Sequence, residues 1–332
     1  MSFSFSKGFE STIQEIRAQA EDLIEYSKYL KRLGIKKQNP EETLFCGAGD
    51  SYACALFVER FENFKPRAFD PAELFQYPQA AKDKNVYFIS VSGRTKANIE
   101  AARRVRNLAS RRVAITVNPE SSLAKTCDDI IELKFTKSQG LTPGTNSFTA
   151  CVLACSALFS DIPRLDVRGI LRRAELWSQN HELKGDYYHF VGSGPFYGIC
   201  VYGAAKIFEF TGFHSSYQLT EEFSHLDLFS LGGKRNGSKK KDLIFILRSE
   251  PKEERSRELH DLLSKEGVES FLVPTSGRGS TQSEILERSI SYSIYLQYLG
   301  LSAALQTGLS KPSFLLEKSL LRISDRLIYE QS

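Results

Sequence analysis

What this chain lacks narrows the possibilities first. Its six cysteines, Cys46, Cys54, Cys127, Cys151, Cys155 and Cys200, form no C-x-x-C pair and have no histidine at ligand spacing, which argues against zinc. Most lie among apolar neighbours and read as buried, reduced thiols. No apolar run is long enough to span a bilayer. Residues 138–160 carry no charge, but Pro143, Gly144, Thr145 and Asn146 interrupt them, so residues 148–159 are expected to be a buried helix behind a polar loop. The amino terminus has no apolar core of a signal peptide and soon turns acidic, so the expected compartment is the cytoplasm. A surplus of four positive charges, 44 Lys and Arg against 40 Asp and Glu, is too small to predict a nucleic-acid or membrane partner. The densest basic stretch, residues 234–241, has no interleaved aromatics and is expected to be a solvated loop.

What the chain does have is alternation. Short apolar runs at residues 44–46, 86–89, 113–117 and 130–133 alternate with charged segments of helical length, and the pattern returns at 188–191, 243–247 and 270–273. This predicts an α/β fold with parallel strands and crossover helices. Ile13, Ile16, Ala20, Leu23 and Ile24 predict an amphipathic helix before the first strand. The 332 residues suit two domains at roughly 150 residues each. A self-match supports the division: FCGAGDSY at 45–52 and FVGSGPFY at 190–197 both read F-x-G-x-G-x-x-Y, after a strand and before a helix. The expected domains are residues 1–165 and 166–332, joined by a stretch that reads as helix after Pro163.

Glycines after a strand invite a dinucleotide reading, but Tyr52 and Tyr197 stand where the fingerprint needs its third glycine, and no P-loop lysine is present. No cofactor and no metal is therefore expected. Three polar loops at expected strand-to-helix junctions, 47–51, 90–96 (SVSGRTK) and 142–147 (TPGTNS), are better suited to an anion. Small hydroxyl residues and glycine expose backbone N–H groups at a helix start, where a phosphate is held without a cofactor. The plainer alternative is that Ser92 and Thr95 only cap a helix.

A second feature is charge where none is expected. Lys206 and Glu209 are the only fully charged side chains between Tyr187 and Phe213. A lysine and glutamate at i, i+3 ordinarily make a solvated pair, but a helix apolar on nearly every side is buried, and buried charges are paired or functional. Tyr202, Lys206 and Glu209 share one helix face, so Glu209 is a candidate general base. His225 follows with Glu221 and Glu222 just before it; the other histidines, at 181, 189, 214 and 260, show no comparable acidic company in sequence. Lys311 and Lys318 in KPSFLLEKSL are further candidates.

Taken together, TIQEIRAQAEDL, GAGDSY, PAELFQY, SVSGRT, PGTNSFTA, the Lys206/Glu209 helix and the His225 segment resemble the sugar isomerase (SIS) superfamily, specifically the isomerase half of glucosamine-6-phosphate synthase and its stand-alone relatives. The resemblance implies two tandem flavodoxin-like three-layer SIS domains with parallel sheets. It implies that Asp50, Ser51, Ser90, Val91, Ser92, Thr95, Gly144 and Thr145 hold a sugar phosphate. Glu209 would move a proton between C1 and C2 with Lys206 beside it, and His225 would open the ring from the neighbouring subunit of a homodimer. Lys318 would match the carboxyl-terminal catalytic lysine, with Lys311 in competition. The chain departs from the pattern where Leu226 and Asp227 replace a glycine and proline, Tyr202 a glutamate and Gly144 a serine. No glutaminase domain and no amino-terminal cysteine nucleophile is recognised, so glutamine-dependent synthesis is not expected of this chain. The expected activity is metal-independent isomerisation of a hexose or hexosamine 6-phosphate, alone or with deamination of glucosamine 6-phosphate. A fructosamine-phosphate deglycase and a non-catalytic sugar-phosphate sensor are the alternatives.

Overall fold

The apolar runs become strands in the computed structural model, which describes residues 8–231, 240–249, 254–276 and 279–329. The first part of the chain runs α1 (Glu10–Leu33), β1 (Thr43–Gly47), α2 (Asp50–Phe61), β2 (Arg67–Phe69), α3 (Pro71–Gln76), β3 (Asn85–Ile89), α4 (Lys96–Arg104), β4 (Arg111–Thr116), α5 (Ser122–Thr126), β5 (Asp129–Glu132) and α6 (Asn146–Ser156). It continues as α7 (Val167–Gln179), β6 (Tyr187–Gly192), α8 (Phe196–Thr211), β7 (His214–Gln218), α9 (Thr220–His225), β8 (Asp242–Leu247), α10 (Glu254–Lys265), β9 (Glu269–Leu272), α11 (Gln282–Gln306) and α12 (Lys318–Ile328).

The strands form two sheets, ordered β2-β1-β3-β4-β5 and β7-β6-β8-β9, and every pairing is parallel. β1 is buried along its whole length, and β3, β4, β6 and β8 are buried past their first residue. That is how strands covered on both faces read, as continuous apolar runs without alternation. β2 and β7 were not legible as apolar runs; both are edge strands, and β7 (HSSYQ) has no buried residue.

The chain gathers into two units. The five-strand unit comprises Ala18–Lys137, Asn146–Arg164 and Glu317–Ser332, and the four-strand unit Met1–Arg17, Ser138–Thr145 and Leu165–Leu316. One crossing, at Arg164 and Leu165, lies beside the expected border; the others interleave the units, and α1 itself spans one. In the five-strand unit Leu44, Val86, Phe88, Ile99 and Ala114 form a core cluster. In the four-strand unit Val191, Phe223, Ile244, Ile246 and Leu259 do so. The expected helix behind the polar loop is α6, buried at ten of its positions.

The F-x-G-x-G-x-x-Y repeat is a repeat of backbone geometry. A Cβ on Gly47 would lie 2.8 Å from the Cβ of Ser51, and one on Gly192 would lie 2.9 Å from Cys200 Sγ. Gly49 and Gly194 have φ of 59° and 57°, which L side chains rarely adopt, so both strand-to-helix turns close in one way. The cysteines are free thiols; five are buried and Cys127 is partly exposed. Among the described residues no cluster of His, Cys, Asp and Glu is placed to hold a metal, and no helix is long and apolar enough to cross a membrane. Of the basic run at 234–241, residues 234–239 lie outside the described residues. Lys241 pairs with Glu182 and Glu269.

Candidate active site

In the five-strand sheet the strand order reverses between β1 and β3, and parallel sheets hold ligands outside the carboxyl ends of the strands at such a point. Two of the expected loops lie there. Asp50 and Ser51 open α2, whose N-cap, Gly49, offers no side chain to the orphan amides. Ser90 to Thr95 link β3 to α4. Thr95 is the N-cap of α4 yet makes no capping bond; its hydroxyl is paired with that of Ser90 at 2.9 Å. The capping alternative therefore fails for Thr95. Ser92 accepts the Arg94 amide, at 3.2 Å.

The loop is fixed from behind. Thr116 Oγ1 donates to the Val91 carbonyl at 3.1 Å, the Leu123 amide to the Gly93 carbonyl at 3.0 Å, and Asn98 Nδ2 to the Ile89 carbonyl at 2.8 Å. These bonds take carbonyls of the loop and hold its backbone in place. The end of the chain reaches the same loop: Tyr329 bridges to Thr95, and the Arg94 guanidinium lies 5.8 Å from the Tyr329 ring. Lys318, at the start of α12, is exposed.

In the four-strand unit, α8 carries the charged pair. Lys206 is fully buried and bonds Glu209, whose side chain keeps 33% of its exposure. Lys206 Nζ lies 5.0 Å from the Tyr202 ring, and the Tyr202 hydroxyl donates to the Gly144 carbonyl at 2.8 Å. The two departures Tyr202 and Gly144 therefore touch each other. Removing two charges from water costs several kcal/mol per ion, so a pair of this kind is poor evidence of a purely stabilising role.

The third hydroxyl loop has a different surrounding from the one expected. Thr142 donates to Glu15 Oε2 at 2.7 Å, Ser138 to Oε1 at 2.9 Å, and the buried Thr145 lies 3.3 Å from Oε2. Gln297 donates to the Thr145 carbonyl at 3.3 Å. A carboxylate at the centre of these hydroxyls disfavours a phosphate on the same groups, and the Gly144 carbonyl instead holds the Tyr202 hydroxyl. Neither Glu15 nor Gln297 was found from sequence, although Glu15 is a nearly buried carboxylate on the apolar face of α1, between Ile13 and Ile16.

His225 ends α9 with 69% of its side chain exposed, 3.4 Å from Glu221. Lys311, in this unit, is partly buried. His189 corrects the expectation that only His225 has acidic company. Its Nε2 lies 3.2 Å from Asp242 and its Nδ1 2.9 Å from Ser216. That carboxylate comes from the next strand in the sheet and leaves no trace in the local sequence.

Residues 38–161 match the SIS domain family. This segment carries all three hydroxyl loops and the whole five-strand sheet. No curated protein matches the chain in sequence. Solved structures share its fold over nearly its full length. A glucosamine-6-phosphate deaminase from Thermotoga maritima is similar at TM-score 0.71 and 21% identity, with 92% of this chain and 98% of that one covered. A tagatose-6-phosphate ketose/aldose isomerase from Escherichia coli gives 0.67 and 15%, covering 91% and 94%. The C-terminal domain of glucosamine-fructose-6-phosphate aminotransferase from Francisella tularensis gives 0.65 and 16%, covering 93% and 98%. At these identities the likeness is one of fold.

Proposed function

We propose that this chain is a sugar-phosphate aldose–ketose isomerase, acting on a hexose or hexosamine 6-phosphate and, with glucosamine 6-phosphate, releasing ammonia. Its two units are read as tandem flavodoxin-like SIS domains, and the protein as a cytoplasmic homodimer. The observation that carries this reading is the Lys206–Glu209 pair: a fully buried ammonium fixes a carboxylate that still faces solvent. Such a carboxylate is held in one orientation, as a base for a carbon-bound proton must be.

In the proposed reaction Glu209 accepts the proton from C2 of the open-chain aldose and electron density moves to the C1 oxygen; a proton passes from the C2 hydroxyl to that oxygen through the enediol, and the same carboxyl returns its proton to C1 to leave the 2-ketose. Lys206 adds positive charge beside the developing oxyanion. Ring opening is assigned to His225 of a second subunit, in keeping with its exposure, and Lys318 to the same chemistry from the tail. The phosphate is assigned to Ser51, Ser90, Val91, Ser92 and Thr95, with Asp50 at the start of α2; binding there supplies energy that positions the reacting carbons. These roles are filled by side chains and backbone amides.

Replacing Glu209 with Gln keeps an acceptor for Lys206 and removes the base. Exchange of the C2 proton with solvent, followed by NMR in deuterium oxide, is expected to fall by about 10² to 10⁴, while binding of fructose 6-phosphate stays near wild type. Retained turnover would remove Glu209 from the chemistry. Assaying the same incubations for ammonia decides between isomerisation alone and deamination.

A further inference from the structure

Glu15 is a carboxylate on the apolar face of a helix. It stands on α1 between Ile13 and Ile16 with 8% of its surface exposed. Burying such a group is costly unless its oxygens are satisfied, and one short segment supplies the donors. The Ser138 amide and hydroxyl reach Oε1 at 3.1 and 2.9 Å, and the Thr142 and Thr145 hydroxyls reach Oε2 at 2.7 and 3.3 Å. Residues 138–145 form neither helix nor strand, so no regular ladder of backbone bonds sets their shape and side chains must. Gln297 helps, at the Thr145 carbonyl.

What the segment carries is Gly144. Thr142 and Thr145 flank it and converge on one carboxylate oxygen, and Pro143, with its fixed φ, leaves little slack between them. The Gly144 carbonyl in turn accepts the hydroxyl of the fully buried Tyr202 at 2.8 Å. The Tyr202 ring lies 5.0 Å from Lys206 Nζ, one turn further along α8, and Lys206 bonds Glu209. All of these residues belong to the four-strand unit.

A plainer account is that Glu15 serves only to fasten α1 to the segment. An aliphatic side chain would pack with Ile13 and Ile16, and water would satisfy the partly exposed Ser138 and Thr142; exchanging water for protein bonds gains little. What the carboxylate adds is position. Two bonds on one oxygen fix the carbonyl between them, and proton transfer is sensitive to displacements well below the size of an atom.

We propose that Glu15 is a positioning residue for proton transfer at Glu209: it fixes the Gly144 carbonyl, which fixes the Tyr202 ring against Lys206. The role rests on the reading of Glu209 as the base.

The test joins kinetics to a signal that needs no substrate. With fructose 6-phosphate, Glu15→Ala is expected to lose about tenfold or more in kcat. KM should stay within about twofold, because the phosphate is assigned to other loops. Glu15→Gln, which keeps an acceptor oxygen at the same reach, should recover most of the loss. Tyr202→Phe should lower kcat comparably, and Glu15→Ala/Tyr202→Phe should be no slower than the slower single variant, since both break one chain of contacts. Full kcat in Glu15→Ala, or losses that multiply, would overturn the role. Thr142→Val removes the 2.7 Å donor from a partly exposed residue and serves if Glu15→Ala does not fold. It should cost about threefold in kcat, and wild-type kcat there would overturn the role as well. In protein labelled with ζ-¹³C tyrosine, the Tyr202 resonance, recognised by its loss in Tyr202→Phe, should shift in Glu15→Ala and in Thr142→Val. Wild type without turnover but with that shift would refute the reading of Glu209 and keep the link from Glu15 to Tyr202. Turnover with an unmoved resonance would overturn the positioning role alone.

Discussion

Lys206 concentrates the energetic question at a single residue. A lysine with no exposed surface usually gives up its charge or finds a partner, and here the partner is Glu209 one turn further along α8. If the ammonium served only the fold, removing it would leave a cavity and an unpaired carboxylate. Glu209, however, is one-third exposed and can be hydrated when alone. Lys206→Met, which keeps the length and fills the space, is therefore expected to shift unfolding free energy by no more than about 1 kcal/mol. It should lower turnover by about 10² or more, because the charge beside the developing oxyanion is gone. Urea denaturation and steady-state kinetics on one preparation check both halves. A large loss of stability with turnover retained would make Lys206 structural. This pair was legible because its flanks are apolar for a full helix. Its surroundings were not: Tyr202 reaches Gly144 across 58 positions, and Gln297 reaches Thr145 across 152. Contacts at that range come from the fold and leave no local pattern.

Among the elements, α12 is the most loosely attached. It has no buried residue, and Leu320, Ile323 and Leu327 lie along it largely exposed. Its far end is fastened by the bridge from Tyr329 to Thr95 and by the Arg94 guanidinium against the Tyr329 ring. An exposed cation–π contact contributes about 0.5–1 kcal/mol, and burial of part of the ring adds a similar amount. Tyr329→Ala is expected to speed hydrogen exchange across residues 318–328 by about tenfold and to leave β3 and β4 unchanged, as local opening requires. Exchange measured by mass spectrometry would show it; an unchanged rate would mean that α12 is held by its packing on α4. The sequence marked the edge strands β5 and β9 by their apolar runs and missed the other two, β2 and β7. Arg67–Phe69 is three residues long, and His214–Gln218 is mostly polar. An edge strand pairs on one side only, so it needs neither the length nor the continuous apolar run that betrays a central one. On α1, Thr12, Glu15 and Gln19 are nearly or fully buried polar residues at helical spacing. That stripe was present in the sequence, but what Glu15 and Gln19 bind, Thr142 and Thr149, lies more than 120 residues away.

For the whole molecule, the two parallel sheets were legible from the apolar runs. The interleaving was not, because a helix such as α1 reads as one element wherever its residues gather. The two cores share a chemical property that decides how the protein responds to alkali. Burial is the leading cause that pushes the thiols of Cys46, Cys54, Cys151 and Cys200 up and raises Cys127 to about 12. It likewise raises Tyr87 and Tyr188 to about 12 and Tyr26 well above its usual value. In the unfolded chain these groups ionise near 8.5 for cysteine and about 10 for tyrosine. The folded state therefore holds protons that the unfolded state has already released. Stability from these groups is complete below about pH 8.5 and is lost as pH rises, by up to about 1.4 kcal/mol per pH unit for each fully buried thiol. Carboxylates held low, such as Asp128 and Asp129, are ionised in both states above pH 7 and add no slope there. The urea midpoint, measured with reductant present, is expected to hold steady from pH 7 to 8.5. It should then fall with a slope that steepens through pH 10, where tyrosine joins cysteine. A midpoint that stayed level to pH 11 would mean that the thiols of the two cores reach solvent in the native state, and that the packing of α6 and α8 around Cys151, Cys155 and Cys200 is looser than the structure has it.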